Sequence, residues 1–147
     1  MRSALPVLTA AFFMISSANS ASAQNVQNLV GTWVGTTHSY MVGADGNLPI
    51  GGGTWENPKP FAADMEIEIL RQDERRFVGK FTLGKKPQGG FIGVLSVDGK
   101  EFAAITERGE AWGRVIDRDK LSVCYSNLAG PKSPNTSVGC TDIRRKK

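Results

Sequence analysis

Few residues in this chain are equipped for chemistry, and they do not gather into a set that would perform it. His38 is the sole histidine. A metal site would need further ligands, and no His/Cys/carboxylate cluster has the spacing to supply them. Cys124 and Cys140 lack C-x-x-C spacing, which argues against a redox or metal pair and leaves a disulfide as the reading. Asp117-x-Asp119 falls where a hairpin turn is expected and lacks a calcium loop around it. Glu66 and Glu68 share one face of a strand, a spacing that evokes the paired acids of glycoside hydrolysis, yet it reads more simply as a solvated face. Asn135-Thr136-Ser137 is a glycosylation acceptor only in a eukaryotic host. The expectation is a protein that is not an enzyme, with no cofactor and no metal.

The aromatic residues are better candidates for function. Trp55 lies in a long Gly/Pro-rich segment, Val42 to Pro60, and loops of that length inside a compact domain often bind or cover something. Tyr40, Met41 and Phe61 flank it and complete an apolar mouth, and Trp112 lies in a late strand. Tyr40, Trp55 and Trp112 are therefore the predicted ligand-binding residues. The alternative is that Trp55 folds back as a plug and binds nothing.

These residues sit in a chain that reads as exported. Residues 1–23 have one charge, Arg2, then an apolar stretch from Ala4 to Ile15, then the A-x-A site Ala21-Ser22-Ala23. The apolar stretch is shorter than the roughly 20 residues that span a bilayer, so a cleaved signal peptide is predicted over an anchor. Residues 24–147 form one domain, placed in the periplasm or outside the cell, with no stable membrane insertion. The basic balance, 18 Lys+Arg against 14 Asp+Glu, comes from Arg2 and the tail Arg144-Arg145-Lys146-Lys147, and the body between is slightly acidic. No aromatic-interleaved basic stripe is present, so nucleic acid is not an expected partner. The tail is read as a frayed, soluble end.

Period-two alternation and turn signals dominate residues 29–145. They predict strands at about 29–41, 63–71, 76–83, 90–97, 101–106, 111–116, 121–126 and 137–145. The clearest alternation sets Met65, Ile67 and Ile69 against Glu66 and Glu68. Asp98-Gly99 reads as a two-residue type I′ hairpin turn. Eight strands joined mostly by tight turns predict an all-β, eight-stranded antiparallel up-and-down barrel, with a two-sheet sandwich as the alternative. Gly79, Gly93, Gly113 and Gly139 fall inside strands, where they permit the coiling a small barrel requires. The last two strands pair as a hairpin, which places Cys124 opposite Cys140 on the outside of the barrel if Leu121, Val123 and Tyr125 face inward.

Leu29-Val30-Gly31-Thr32-Trp33 opens this run, and a Gly-x-Trp at the first strand of an eight-stranded meander resembles the calycin group of lipocalins, avidins and fatty-acid-binding proteins, the avidins most. The resemblance implies that Trp33 plugs the closed end and that Arg144 or Arg145, from the last strand, packs over it as a guanidinium on an indole. The departures are specific. An avidin-like biotin site needs polar groups shortly after the first Trp and Trp walls on later strands; here Ser39 alone supplies the former and Trp112 the latter. The long helix that follows a lipocalin barrel is absent from the pattern. Two functions follow. In the first, a hollow barrel with an interior of several hundred Å³ binds a small apolar or amphipathic ligand at its mouth. In the second, a filled barrel meets a protein partner through its loops.

Overall fold

The computed structural model describes residues 26–43, 52–130 and 134–147. The predicted signal peptide, most of the Val42–Pro60 segment before Gly52, and residues 131–133 lie outside the described residues. Eight strands are present: β1 (Gly31–Gly43), β2 (Lys59–Asp73), β3 (Arg76–Leu83), β4 (Lys86–Leu95), β5 (Glu101–Thr106), β6 (Gly109–Asp117), β7 (Lys120–Asn127) and β8 (Asn135–Arg145). Each pairs antiparallel with the next, and β1 pairs with β8 to close the barrel. Among the described residues, closure leaves no sheet edge exposed to another chain.

The strands run further than their sequence signals. β2 begins at Lys59 rather than Ala63, taking in Pro60 and Phe61, because β1 continues to Gly43 and offers Tyr40 and Met41 as partners for Pro60 and Lys59. β4 begins at Lys86, so Pro87 is a strand residue, seated where the register with β3 shifts between Phe81 and Thr82. A bulge is one of the few places in a sheet that tolerates proline. β1 starts at Gly31, and Leu29 belongs instead to the segment that caps the barrel.

The turn chemistry also differs from expectation. Asp98-Gly99 is not a two-residue turn. Ser96 and Glu101 close the hairpin, with Ser96 N donating to Glu101 O at 2.7 Å, and only Gly99 takes a positive φ (70°). Asp98 instead accepts hydrogen bonds from Ser96 Oγ and Lys100 N, which hold its carboxyl below the usual range. The two-residue turn with positive φ at both positions is Gly84-Lys85, joining β3 to β4.

The mid-strand glycines make room for rings. Gly79 faces Phe91 across β3–β4, Gly93 faces Phe77 across the same pair, and Gly113 faces Phe102 across β5–β6. A Cβ at any of the three would collide with the opposing phenyl ring. The rings thus lie over bare backbone, an aromatic-over-glycine arrangement that lets a narrow barrel carry large inward side chains. Gly113→Ala should therefore lower the unfolding free energy by about 1–3 kcal/mol, the usual cost of overpacking. Gly90→Ala, where the nearest atom to an added Cβ is Gly79 O at 3.5 Å, should be near neutral. Urea denaturation of the two variants checks the contrast.

At the closed end Trp33 is fully buried among Leu29, Ile69, Phe77, Leu95, Leu121 and Ile143. Its Nε1 donates to Leu29 O at 2.9 Å. The guanidinium of Arg145 lies 4.3 Å from the centroid of the indole, and it also donates to Val30 O (2.6 Å) and Asn28 O (2.9 Å). Arg144, by contrast, points outward. The geometry accounts for Gly31: its φ is +134°, and a Cβ there would stand 2.9 Å from Arg145 Nη1. Gln72 fastens the capping segment from the other side, accepting from Leu29 N (2.7 Å) and donating to Gln27 O (3.0 Å).

Candidate functional site

Inward-facing residues alternate with outward-facing ones along every strand, and the inward set defines a cavity of about 100 Å³ that opens at the end opposite Trp33. The barrel is thus neither solid nor as hollow as several hundred Å³. Aromatic side chains take up the difference. Phe61, Phe77, Phe81, Phe91 and Phe102, which are all the phenylalanines after residue 13, line the cavity. Phe77 meets Phe91 and Phe102 edge to face, with centroids 6.2 and 6.1 Å apart.

The lining has two characters. Strands β2 to β5 contribute an apolar wall of these phenylalanines with Met65, Ile67 and Ile69. Strands β7 and β8 contribute the polar groups of Tyr125, Asn127, Asn135 and Ser137, and a cluster of buried hydroxyls stands behind Tyr125 outside the lining. Ser39 Oγ and Tyr125 Oη are 2.5 Å apart, and Thr37 Oγ1 lies 3.3 Å from each. Thr141 Oγ1 donates to Thr36 O (2.8 Å), and nearer the mouth Asn127 Nδ2 donates to Ser137 Oγ (3.2 Å). Buried hydroxyls of this kind are satisfied by one another. At the rim, Arg108 donates to Gln88 Oε1 at 2.8 Å.

None of the three aromatic residues singled out from the sequence lines this cavity. Tyr40 and Trp112 occupy outward positions on β1 and β6, both substantially exposed. Trp55 is 75% exposed. It sits at the tip of a turn in which Thr54 and Asn57 exchange backbone hydrogen bonds (3.1 and 3.2 Å), on the same end of the barrel as the mouth. Met41 and Phe61, named as their neighbours, do line the cavity. The other four phenylalanines and Tyr125 line it too and are not among the residues predicted from the sequence. Their inward parity with Met65 and Leu121 was the available signal.

Cys124 and Cys140 are directly opposed on β7 and β8 and are joined as a disulfide on the outer face, with Cα atoms 4.0 Å apart. Trp112 and His38 flank the bridge on the adjoining strands, β6 and β1. Further along the same hairpin Lys120 pairs with Asp142 at 2.6 Å, and this hydrogen bond, with one from Ser122, holds the Asp142 carboxyl low. Glu66 and Glu68 also face outward, paired with Lys146 (3.0 Å) and Lys80 (2.9 Å). Asp117 Oδ1 accepts from Asp119 N (2.8 Å) within the β6–β7 turn. Among the described residues no group of three or more His, Cys, Asp or Glu could hold a metal.

Fold and cavity together define a small closed up-and-down β-barrel, open at one end and lined mainly by phenyl rings and aliphatic side chains with a few polar groups. No family model matches the chain, and no curated protein matches it in sequence. Among solved structures it is similar to a Nostoc punctiforme protein of unknown function from the DUF3598 family, with a TM-score of 0.50 and 12% identity over 88% of this chain and 53% of that one. The chain therefore spans about half the length of that relative. It is also similar to Rv2717c from M. tuberculosis, with a TM-score of 0.45 and 14% identity over 81% of this chain and 93% of that one. At such identities the likeness shows the fold alone.

Proposed function

We propose that this protein is an exported, calycin-type barrel that holds a small amphipathic ligand in its open-ended cavity. The observation that carries the reading is the make-up of the lining: an apolar wall of five phenylalanines shares the cavity with the polar groups of Tyr125, Asn127 and Ser137. Binding sites typically join a mostly apolar wall with a few placed polar groups. Trp55, on its hydrogen-bonded turn at the open end, suits first contact with an entering molecule. Export is supported by the leader-like residues 1–23 and by the disulfide, which persists in oxidising compartments.

Native mass spectrometry of protein purified from its own host tests this. The expected result is a co-purifying mass below a few hundred daltons that is lost on denaturation. Repeated recovery of the bare chain, with no shift on adding small aromatic compounds, would overturn it.

A second reading, a protein-interaction module, draws on the outer face. Ile92 and Ile105 are cross-strand partners about two-thirds exposed, and Val94, Ala103 and Trp112 continue the apolar band across β4, β5 and β6. In this reading Tyr40 and Trp112 contact a partner and the barrel interior is structural. A bare chain in the experiment above favours it.

A further inference from the structure

The mouth of the cavity narrows the ligand to a chemical class, an inference that rests on the cavity-binding reading above. Among the described residues, Arg108 is the sole cation lining the cavity. The turn between β5 and β6 places it there, with Arg108 N donating to Thr106 Oγ1 at 3.1 Å. Its guanidinium makes one hydrogen bond, from Nη1 to Gln88 Oε1, and among the described residues no carboxylate comes within 4.0 Å of it. Glu110, the one acidic lining residue among those described, instead accepts from Ser126 Oγ at 3.3 Å on the outer side. A guanidinium presents five N–H donors in a planar fork that matches a carboxylate. Gln88 orients the fork and occupies one donor, leaving the others open at the mouth.

The interior fixes the other half of the ligand. A cavity of about 100 Å³ is too small for a long alkyl chain. Cavities of roughly 150 Å³ lined by Leu, Ile and Phe bind benzene, so the space here is on the scale of a single ring. Phe77, Phe91 and Phe102 offer that ring faces and edges together. Thr106 is the register partner of Phe91, and Arg108 follows it in the β5–β6 turn at the mouth. We propose that the barrel selects single-ring aromatic carboxylates, with the ring among Phe77, Phe91 and Phe102 and the carboxylate on Arg108.

Fluorine NMR titration of the disulfide-bonded protein with 4-fluorophenylacetate, its neutral amide and fluorobenzene tests the proposal. The acid should bind at least tenfold tighter than the amide. Arg108→Gln should weaken acid binding about 10- to 100-fold, the range for a charge-assisted hydrogen bond, and leave amide binding unchanged. Lys85→Gln, at an exposed turn of the same end outside the lining, should change neither. Equal affinity for acid and amide, or an acid preference that survives Arg108→Gln, would overturn anion selection while leaving a ring-binding cavity in place. No binding of any of the three compounds would overturn both the proposal and the cavity reading beneath it.

Discussion

Trp33→Ala is expected to lower the unfolding free energy by about 3–5 kcal/mol, the range for deleting a buried large aromatic side chain. Three losses combine. The indole fills the closed end, where it is fully buried. Its N–H satisfies Leu29 O, which fixes the capping segment. Its face is the surface on which Arg145 rests, and Arg145 in turn holds Val30 and Asn28 by their carbonyls. Without the ring the guanidinium would lie over a void. Trp33→Phe should cost less, because it keeps most of the apolar volume and loses the hydrogen bond. Urea unfolding followed by circular dichroism reads both. A loss under 1 kcal/mol for the alanine variant would mean that the floor does not depend on this residue.

Removing the disulfide should be the next largest effect. Cys124 and Cys140 are separated by sixteen residues, and closing a loop of that size is worth about 3 kcal/mol in the chain-entropy model. The native hairpin persists without the bond, because β7 and β8 remain paired from Lys120–Arg144 to Asn127–Ser137. The change therefore acts mainly on the unfolded chain. The double variant Cys124→Ser, Cys140→Ser should unfold at lower urea concentration with a steeper dependence on urea, since its unfolded state exposes more surface. An unchanged midpoint would show that the bond constrains nothing that folding must otherwise restrict.

The barrel was legible in the sequence because its signals are local. The Met65-Glu66-Ile67-Glu68-Ile69 alternation sets inward and outward faces without reference to any other strand, and the polar turns at 72–75, 107–110 and 117–120 mark where strands reverse. The opening of β2 was not legible. Pro58 and Pro60 signal loop, and only the length of β1 as a pairing partner draws Lys59 to Ala62 into the sheet. The cavity was legible only in part. Recognising that Phe77 lies over Gly93 requires the β3–β4 register, and the shift between Phe81 and Thr82 displaces it by one residue from what the Gly84-Lys85 turn alone would give. Tyr40, Trp55 and Trp112 stand out by residue type, which carries no information on the face a side chain takes. Strand parity, applied to all the aromatics, separates the inward phenylalanines and Tyr125 from outward Tyr40 and Trp112.

The seam between β1 and β8 joins the two ends of the folded domain. During synthesis β1 is the first strand made and β8 the last, so β1 keeps one bare edge until nearly the whole chain is available. Contacts this distant in sequence are slow to form, and an unpaired edge recruits other chains while it waits. The closing step assembles several features at once: the stacking of Arg145 on Trp33, the approach of Thr141 to Thr36, and the wall that sets Ser39 beside Tyr125. A chain stalled before β8 therefore lacks the cover over Trp33 and the Ser39–Tyr125 contact, although β2 to β6 already carry the phenylalanine wall and Arg108.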